Sequence, residues 1–268
     1  MNNSAIGIFD SGVGGLTVVK ELKRILPHEN LVYFGDTGRV PYGTRSRQTI
    51  IDYAKQDLSF LKSKEIKMAI AACGTVSAVL PNEIIDELPF PYTGVLLPAV
   101  QTACSKTISG HIGVLGTSAT IRSGAYGKAI RTILPNARIT GIPCPLFVPL
   151  VENGYVQRDN QVTRLVAQDY LKQVLGSDID TLILGCTHFP LLKAIIGDIV
   201  GPDVRLIDPG RETARFAASV LTSEGLLNTQ EERGSYSFFV SDSPESFTES
   251  ANLFLGDPVN GHVEQILL

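Results

Sequence analysis

Two apolar stretches of this chain end alike, in a cysteine closely followed by threonine. They are Met68-Ala69-Ile70-Ala71-Ala72-Cys73-Gly74-Thr75 and Thr181-Leu182-Ile183-Leu184-Gly185-Cys186-Thr187-His188. If each is a parallel strand, its cysteine stands at the carboxyl end, where open α/β sheets bind ligands. One thiol from each half of the chain then faces a small molecule from opposite sides. That arrangement suits taking a proton off one face of a carbon and returning one to the other. A single cysteine is more often an inert small hydrophobe. A matched pair beside helix N-termini is expected to have thiol pKa values drawn from about 8.5 toward neutrality. Cys104 and Cys144 lack the motif and are assigned to packing.

Other loops carry polar groups to the same side. Asp10-Ser11-Gly12-Val13-Gly14-Gly15-Leu16-Thr17 follows a strand and opens a helix. Its glycine-rich turn exposes backbone N–H groups that favour an anion. It departs from the dinucleotide fingerprint at Thr17 and lacks the P-loop lysine, so a carboxylate or amino-acid headgroup fits better. Gly35-Asp36-Thr37-Gly38-Arg39-Val40-Pro41-Tyr42-Gly43 follows the second strand. Pro41 and Gly43 fix a turn that is expected to present the Tyr42 hydroxyl and nearby N–H groups. Asp10-Ser11-Gly12 and Asp36-Thr37-Gly38 imitate the paired loops of aspartic proteases, but those belong to all-β lobes and this chain alternates strand with helix. His188, next to the second thiol, could tune it or supply a proton. Glu152 alone reads as a surface helix residue.

Short apolar runs alternate with amphipathic segments, the pattern of a parallel α/β sheet. Strands are predicted near Ala5–Phe9, Leu31–Phe34, Met68–Ala72, Thr93–Leu97, Ile112–Leu115, Ile139–Ile142, Thr181–Leu184 and Val204–Ile207. A helix is predicted from about Ser46, with Ile50, Ala54, Leu58 and Leu61 on one face. Ile6-Gly7-Ile8-Phe9-Asp10-Ser11 echoes Ile112-Gly113-Val114-Leu115-Gly116-Thr117, and Cys73 echoes Cys186 at a similar offset. The echoes predict an α/β fold of two pseudo-symmetric lobes, each a mainly parallel sheet flanked by helices, with the site in the cleft between them. The first lobe is residues 1–98 plus 208–268, and the second is 99–207. In the returning part, Arg211–Leu221 reads as helix and Tyr236–Val240 as strand.

The bulk properties narrow the class. The 268 residues carry 23 basic and 27 acidic side chains, for a net charge of -4, with no basic stripe. A nucleic-acid partner is therefore not expected. No run approaches the ~18 apolar residues of a membrane span. The N-terminus lacks signal-peptide character, so a cytoplasmic protein is expected. The four cysteines are widely spaced, without a CxxC pair, and the four histidines do not cluster. Free thiols and no metal site follow.

Three segments together resemble the glutamate racemases of the aspartate/glutamate racemase family. They are Phe9-Asp10-Ser11-Gly12-Val13-Gly14-Gly15-Leu16; Gly35-Asp36-Thr37 with Val40-Pro41-Tyr42-Gly43; and Leu184-Gly185-Cys186-Thr187-His188-Phe189-Pro190-Leu191-Leu192. The likeness runs over nearly the whole chain. It implies interconversion of L- and D-glutamate by two thiols, without pyridoxal phosphate or another cofactor, supplying D-glutamate for peptidoglycan. Cys73 would take the α-proton of the D-isomer and Cys186 that of the L-isomer. Asp10 would lie near Cys73, with His188 and Glu152 on the Cys186 side. Substrate would be held by Ser11, Tyr42, Gly43, Thr75 and Thr187, together with Thr117 and Thr120 of the loop at 116–120; Asp10, Gly74 and His188 also stand at binding positions. Homodimers are common among such relatives.

One residue departs from the pattern. The family has Cys-Asn-Thr where this chain has Cys73-Gly74-Thr75. Loss of an amide that pairs with substrate is expected to weaken binding by about 1–3 kcal/mol, and Gly74→Asn is then expected to raise kcat/KM. The departure also keeps open a catalytically weakened amino-acid-binding relative. An aspartate racemase shares the two-cysteine plan, although the glycine-rich opening and the Pro-Tyr-Gly segment favour glutamate. A thiol–disulfide sensor is disfavoured, because thiols held apart by a substrate do not bond.

Overall fold

Runs such as Ile6-Gly7-Ile8-Phe9 have no polar face, so a strand built from them must be covered on both sides. That is the condition of a parallel sheet between helices. The structure, a computed structural model, describes residues 3–259 and 261–267. Ten strands are found among the described residues: β1 (Ile6–Asp10), β2 (Leu31–Gly35), β3 (Met68–Ala71), β4 (Tyr92–Gly94), β5 (His111–Gly116), β6 (Arg138–Pro143), β7 (Thr181–Leu184), β8 (Arg205–Ile207), β9 (Tyr236–Val240) and β10 (His262–Gln265). They form two sheets, ordered β10-β9-β2-β1-β3-β4 and β6-β5-β7-β8. Every pairing in them is parallel.

The first four strands, in the order 2-1-3-4, have the same arrangement as β5 to β8 in the second sheet. β1 corresponds to β5 and β3 to β7, matching the echoes in sequence. In each sheet the chain reverses direction of travel between the first and third of these strands, which is the switch point where such sheets leave a crevice. Ile6 pairs with both Leu31 and Met68, and Ile112 with both Ile139 and Thr181, so the carboxyl ends of the central strands lie side by side. The first sheet draws on both ends of the chain, because β9 and β10 return to pair beyond β2.

The strand predicted over Thr93–Leu97 is shorter and earlier. β4 ends at Gly94, and Leu96 opens the helix Leu96–Lys106. The Ser77 hydroxyl oxygen accepts the N–H of Val95 at 3.1 Å and closes the turn. Pro98 is tolerated because first-turn N–H groups have no intrahelical partner. β10 was not predicted; its His-Val-Glu-Gln sequence is that of an exposed edge strand. The helix expected from Ser46 is Arg47–Ser63, with Ser46 Oγ accepting the N–H of Thr49 at its start.

One apolar cluster spans both sheets. It joins Leu16, Val19 and Leu22 of the helix Leu16–Ile25 to Leu115, Phe147, Phe189 and Phe254. Two further clusters lie around Phe9, Phe34 and Leu58, and around Val100, Val114 and Ile183. Where β2 and β3 begin, buried Lys67 pairs with buried Glu29 at 2.5 Å, and Glu29 also accepts the N–H of Asn228 at 2.7 Å. The pair thereby ties the returning segment to the first sheet. Lys67→Met leaves a buried carboxylate without its cation and is expected to cost about 3–5 kcal/mol in urea unfolding; a change below about 1 kcal/mol would show the pair to be dispensable.

Candidate active site

Segments that follow the carboxyl ends of six strands line one cavity of about 380 Å³, within the range of small-molecule sites. Asp10 and Ser11 enter after β1, Tyr42 and Gly43 after β2, and Cys73, Gly74 and Thr75 after β3. The second sheet contributes Thr117 and Thr120 after β5, and Cys186, Thr187 and His188 after β7. Glu152, at the end of the helix Phe147–Glu152, completes the set. Every residue expected at the site thus borders a single space.

The two thiols sit in different surroundings. Cys73 Sγ lies 3.6 Å from Ser11 Oγ, and the sulfur stands at the start of the helix Gly74–Val79. Burial and the neighbouring Asp10 carboxylate push the Cys73 thiol up to about 12, against the amides of Val76 and Ser11. The expectation of a thiol drawn toward neutrality therefore fails here, because desolvation and a like charge outweigh a short helix terminus. Cys186 Sγ lies 3.8 Å from His188 Nδ1, and His188 Nε2 lies 2.9 Å from Glu152 Oε1. Burial would pull the imidazole down, but its hydrogen bonds to Cys186 and Glu152 hold it up at about 10. Cys186 precedes a short 3-10 turn, Phe189–Leu192, rather than a full helix.

Asp10 mainly organises its own loop. One carboxylate oxygen accepts the N–H groups of Gly12 at 3.2 Å and Gly15 at 3.0 Å. Burial raises its pKa, opposed by the His188 charge and those amides. The loop meets the second sheet at Gly14, where a Cβ would run into Nδ1 and Cε1 of His188. Thr17 Oγ1 bonds the carbonyl of Thr187 at 3.0 Å, and Phe254 stands edge-on to the His188 ring with centroids 5.1 Å apart. The imidazole is thus clamped by the first sheet's glycine loop and by the returning helix Pro244–Leu255.

The Tyr42 hydroxyl does not reach into the cavity, contrary to the sequence expectation. It is within hydrogen-bond reach of Asp36 and, at 3.1 Å, of Asp57, in a buried network closed by Arg39. What the turn can offer a ligand is backbone: the first N–H groups of the 3-10 turn Tyr42–Thr44 have no partner within it. Thr75 and Thr117 converge there, since a Cβ at Gly43 would lie 4.0 Å and 3.7 Å from their hydroxyl oxygens. Thr117 Oγ1 also accepts the N–H of Thr120 at 3.2 Å, capping the helix Ser118–Ser123.

Sequence reasoning missed one wall. Cys144, Pro145, Val148 and Pro149 line the cavity after β6, and Cys144 is a member of the spanning core as well as a lining residue. Its position just past a strand's carboxyl end was the available signal. The expected gain from an asparagine at 74 also meets an obstacle: a Cβ at Gly74 would lie 2.8 Å from the carbonyl oxygen of Gly185.

Known proteins carry the same plan. A family model described as Asp/Glu/Hydantoin racemase matches residues 6–217. A glutamate racemase of Geobacter metallireducens is 47% identical over 264 residues, covering 98% of this chain and 97% of its own. A crystal structure of a glutamate racemase isoform from Bacillus anthracis superposes with a TM-score of 0.93 at 35% identity, covering 98% of each chain. That of the Francisella tularensis glutamate racemase in complex with D-glutamate gives 0.91 at 40% identity, covering 99% of this chain and 98% of that one.

Two outcomes test the geometry. Tyr42→Phe is expected to lower stability by about 1–3 kcal/mol while leaving KM within about two-fold, because it strips a donor from buried carboxylates rather than from substrate. A large rise in KM with unchanged stability would place the hydroxyl on the ligand instead. His188, held up at about 10, favours the folded state fully below its free value of about 6.5 and loses that contribution as pH rises through about 10. The Tm is therefore expected to fall from about pH 7 to about pH 10, and less steeply in His188→Asn; parallel profiles would contradict this.

Proposed function

Because the chain belongs to the Asp/Glu/Hydantoin racemase family, we propose that it interconverts L-glutamate and D-glutamate by proton transfer between two thiols. The observation that carries this reading is the pair of cysteines at equivalent strand ends of two sheets, bordering one cavity with unlike acid–base neighbours. The relatives that match over full length are named glutamate racemases.

In the reaction a thiolate takes the α-proton, the C–H electron pair passes into the carboxylate as an enediolate, and the opposite thiol protonates the other face. Cys186 takes the proton of L-glutamate and Cys73 that of D-glutamate, as the resemblance assigns them. Cys73, pushed up to about 12 by burial and Asp10, suits the role of proton donor in the L-to-D direction. Cys186, the base for L-glutamate in this reading, stands beside an imidazole held up by its hydrogen bonds to Cys186 and Glu152. Charge building on the substrate carboxylate meets N–H groups of the turn at 42–43 and the hydroxyls of Ser11, Thr75, Thr117, Thr120 and Thr187. Donors fixed in place before reaction supply the largest share of such stabilisation.

The working unit in this reading is the pair of lobes, 1–98 with 208–268 and 99–207, supported by the membership of the two sheets. All four cysteines are free, which suits the reducing cytoplasm we assign to the protein. Its product supplies D-glutamate to peptidoglycan, and self-association as a homodimer belongs to the same reading.

Incubation of the purified protein with enantiopure glutamate in D₂O, followed by proton NMR and chiral analysis, tests the reaction. α-Proton loss with appearance of the mirror isomer is expected, with aspartate racemised far more slowly. Cys73→Ala and Cys186→Ala are each expected to abolish racemisation. Full turnover in either variant would overturn the assignment, and equal turnover of aspartate would overturn the substrate. Binding without any deuterium uptake would mark a non-catalytic relative.

A further inference from the structure

At Gly74 the loop that carries Cys73 leaves no room for a side chain against the backbone of the loop that carries Cys186. Gly74 directly follows Cys73, and Gly185 directly precedes Cys186. An added Cβ at Gly74 would lie 2.8 Å from the Gly185 carbonyl oxygen, 3.7 Å from its carbon and 3.8 Å from Cys186 Cα. Neither side has slack. Gly185 donates its N–H to the Leu115 carbonyl at 2.7 Å, the peptide that carries its own carbonyl is held by Cys186 N–H on the Leu184 carbonyl at 2.8 Å, and its Cα faces Leu115 and the Tyr126 ring. On the other side Gly74 opens a helix whose first turn is closed by Ser77 N–H on the Cys73 carbonyl at 2.9 Å.

We propose that Gly74 is a positioning residue that sets the gap between the thiols: its missing side chain lets the loops after β3 and β7 close to the separation at which both sulfurs reach one α-carbon. This rests on the two-thiol racemase reading above. Transfer from carbon to sulfur on either face needs reacting atoms about 3–3.5 Å apart, and a misplacement of about 1 Å costs on the order of 100-fold. A side chain at 74 presses on a carbonyl anchored in the second sheet, so the loops separate and both transfer distances lengthen together. The glycine therefore does more than omit a substrate-binding amide. In this chain the family's asparagine acts as a wedge, and Gly74→Asn lowers turnover, opposite in sign to the expectation from the motif alone.

Gly74→Ala in the full chain tests this with the smallest wedge. The readouts are kcat and KM for both enantiomers, the primary isotope effect with α-deuterated glutamate, and the Tm. A fall in kcat of about 10-fold or more is expected, with a larger isotope effect in both directions and a smaller rise in KM, since Ser11, the turn at 42–43 and Thr117 stay in place while Thr75 and Thr187 move with their loops. Unchanged kcat overturns the proposal. So does a lower kcat with an unchanged isotope effect, which would mean that proton transfer was not the step affected. Failure of Gly74→Ala to fold also overturns it, making the contact one of folding rather than of positioning. If the parent does not racemise glutamate, the functional reading fails instead, before any variant is compared.

Discussion

Inverting a stereocentre without turning the molecule over requires an acid and a base on opposite faces of one carbon, and a single strand end cannot provide both. In this chain two parallel sheets bring their carboxyl ends together, each at the switch point beside its central strand. Ser11 and Cys73 come from adjacent strands of the first sheet, and Thr117 and Cys186 from the corresponding strands of the second. The apolar cluster running through both sheets holds that meeting in place.

The symmetry of the backbone is not carried into the electrostatics, and the reaction tolerates that. Cys73 has a carboxylate and a hydroxyl nearby, whereas Cys186 has an imidazole backed by a second carboxylate. Mirror-image substrates have equal free energies, so kcat/KM must be the same in both directions whatever the surroundings of the thiols. What the surroundings decide is which sulfur holds the proton between turnovers. Burial and Asp10 keep it on Cys73, while His188 supplies a compensating positive charge on the opposite side.

Much of this was legible in the sequence because strand ends are punctuated. Apolar runs closing in Asp10-Ser11, Cys73, Gly116-Thr117 and Cys186-Thr187 placed β1, β3, β5 and β7 and the polar edge of the cavity. Three features were not legible, each for a tertiary reason. The direction of the Tyr42 hydroxyl is set by Asp57, a helix residue distant in sequence whose burial cannot be read locally. The clamp on His188 comes from Gly14 and Phe254, on opposite ends of the chain. The rise of the Cys73 thiol depends on how far water is excluded, and a helix N-terminus read from sequence gives only the opposing contribution. β10 escaped because an exposed edge strand with little apolar content leaves no periodic signal.

The network under Tyr42 shows how the site tolerates buried acids beside an anionic substrate. Asp36 and Asp57 are both fully buried, and Arg39 is the cation that bonds both, with Nε 2.5 Å from Asp36 and a terminal nitrogen 3.1 Å from Asp57. Two ionised carboxylates against one guanidinium would leave a net negative charge just behind the turn at 42–43, where a substrate carboxylate is to be held. Burial, and the like charge of Asp36, oppose that charge by raising the Asp57 pKa, while Arg39 and the Tyr42 hydroxyl pull it the other way. Hydroxyl donors add to the cation: Tyr42 lies within hydrogen-bond reach of both carboxylates, and Ser241 bonds Asp36 at 2.7 Å. Cation and donors together spread the carboxylate charge, which weakens the field that the turn's N–H groups must overcome to face an incoming carboxylate.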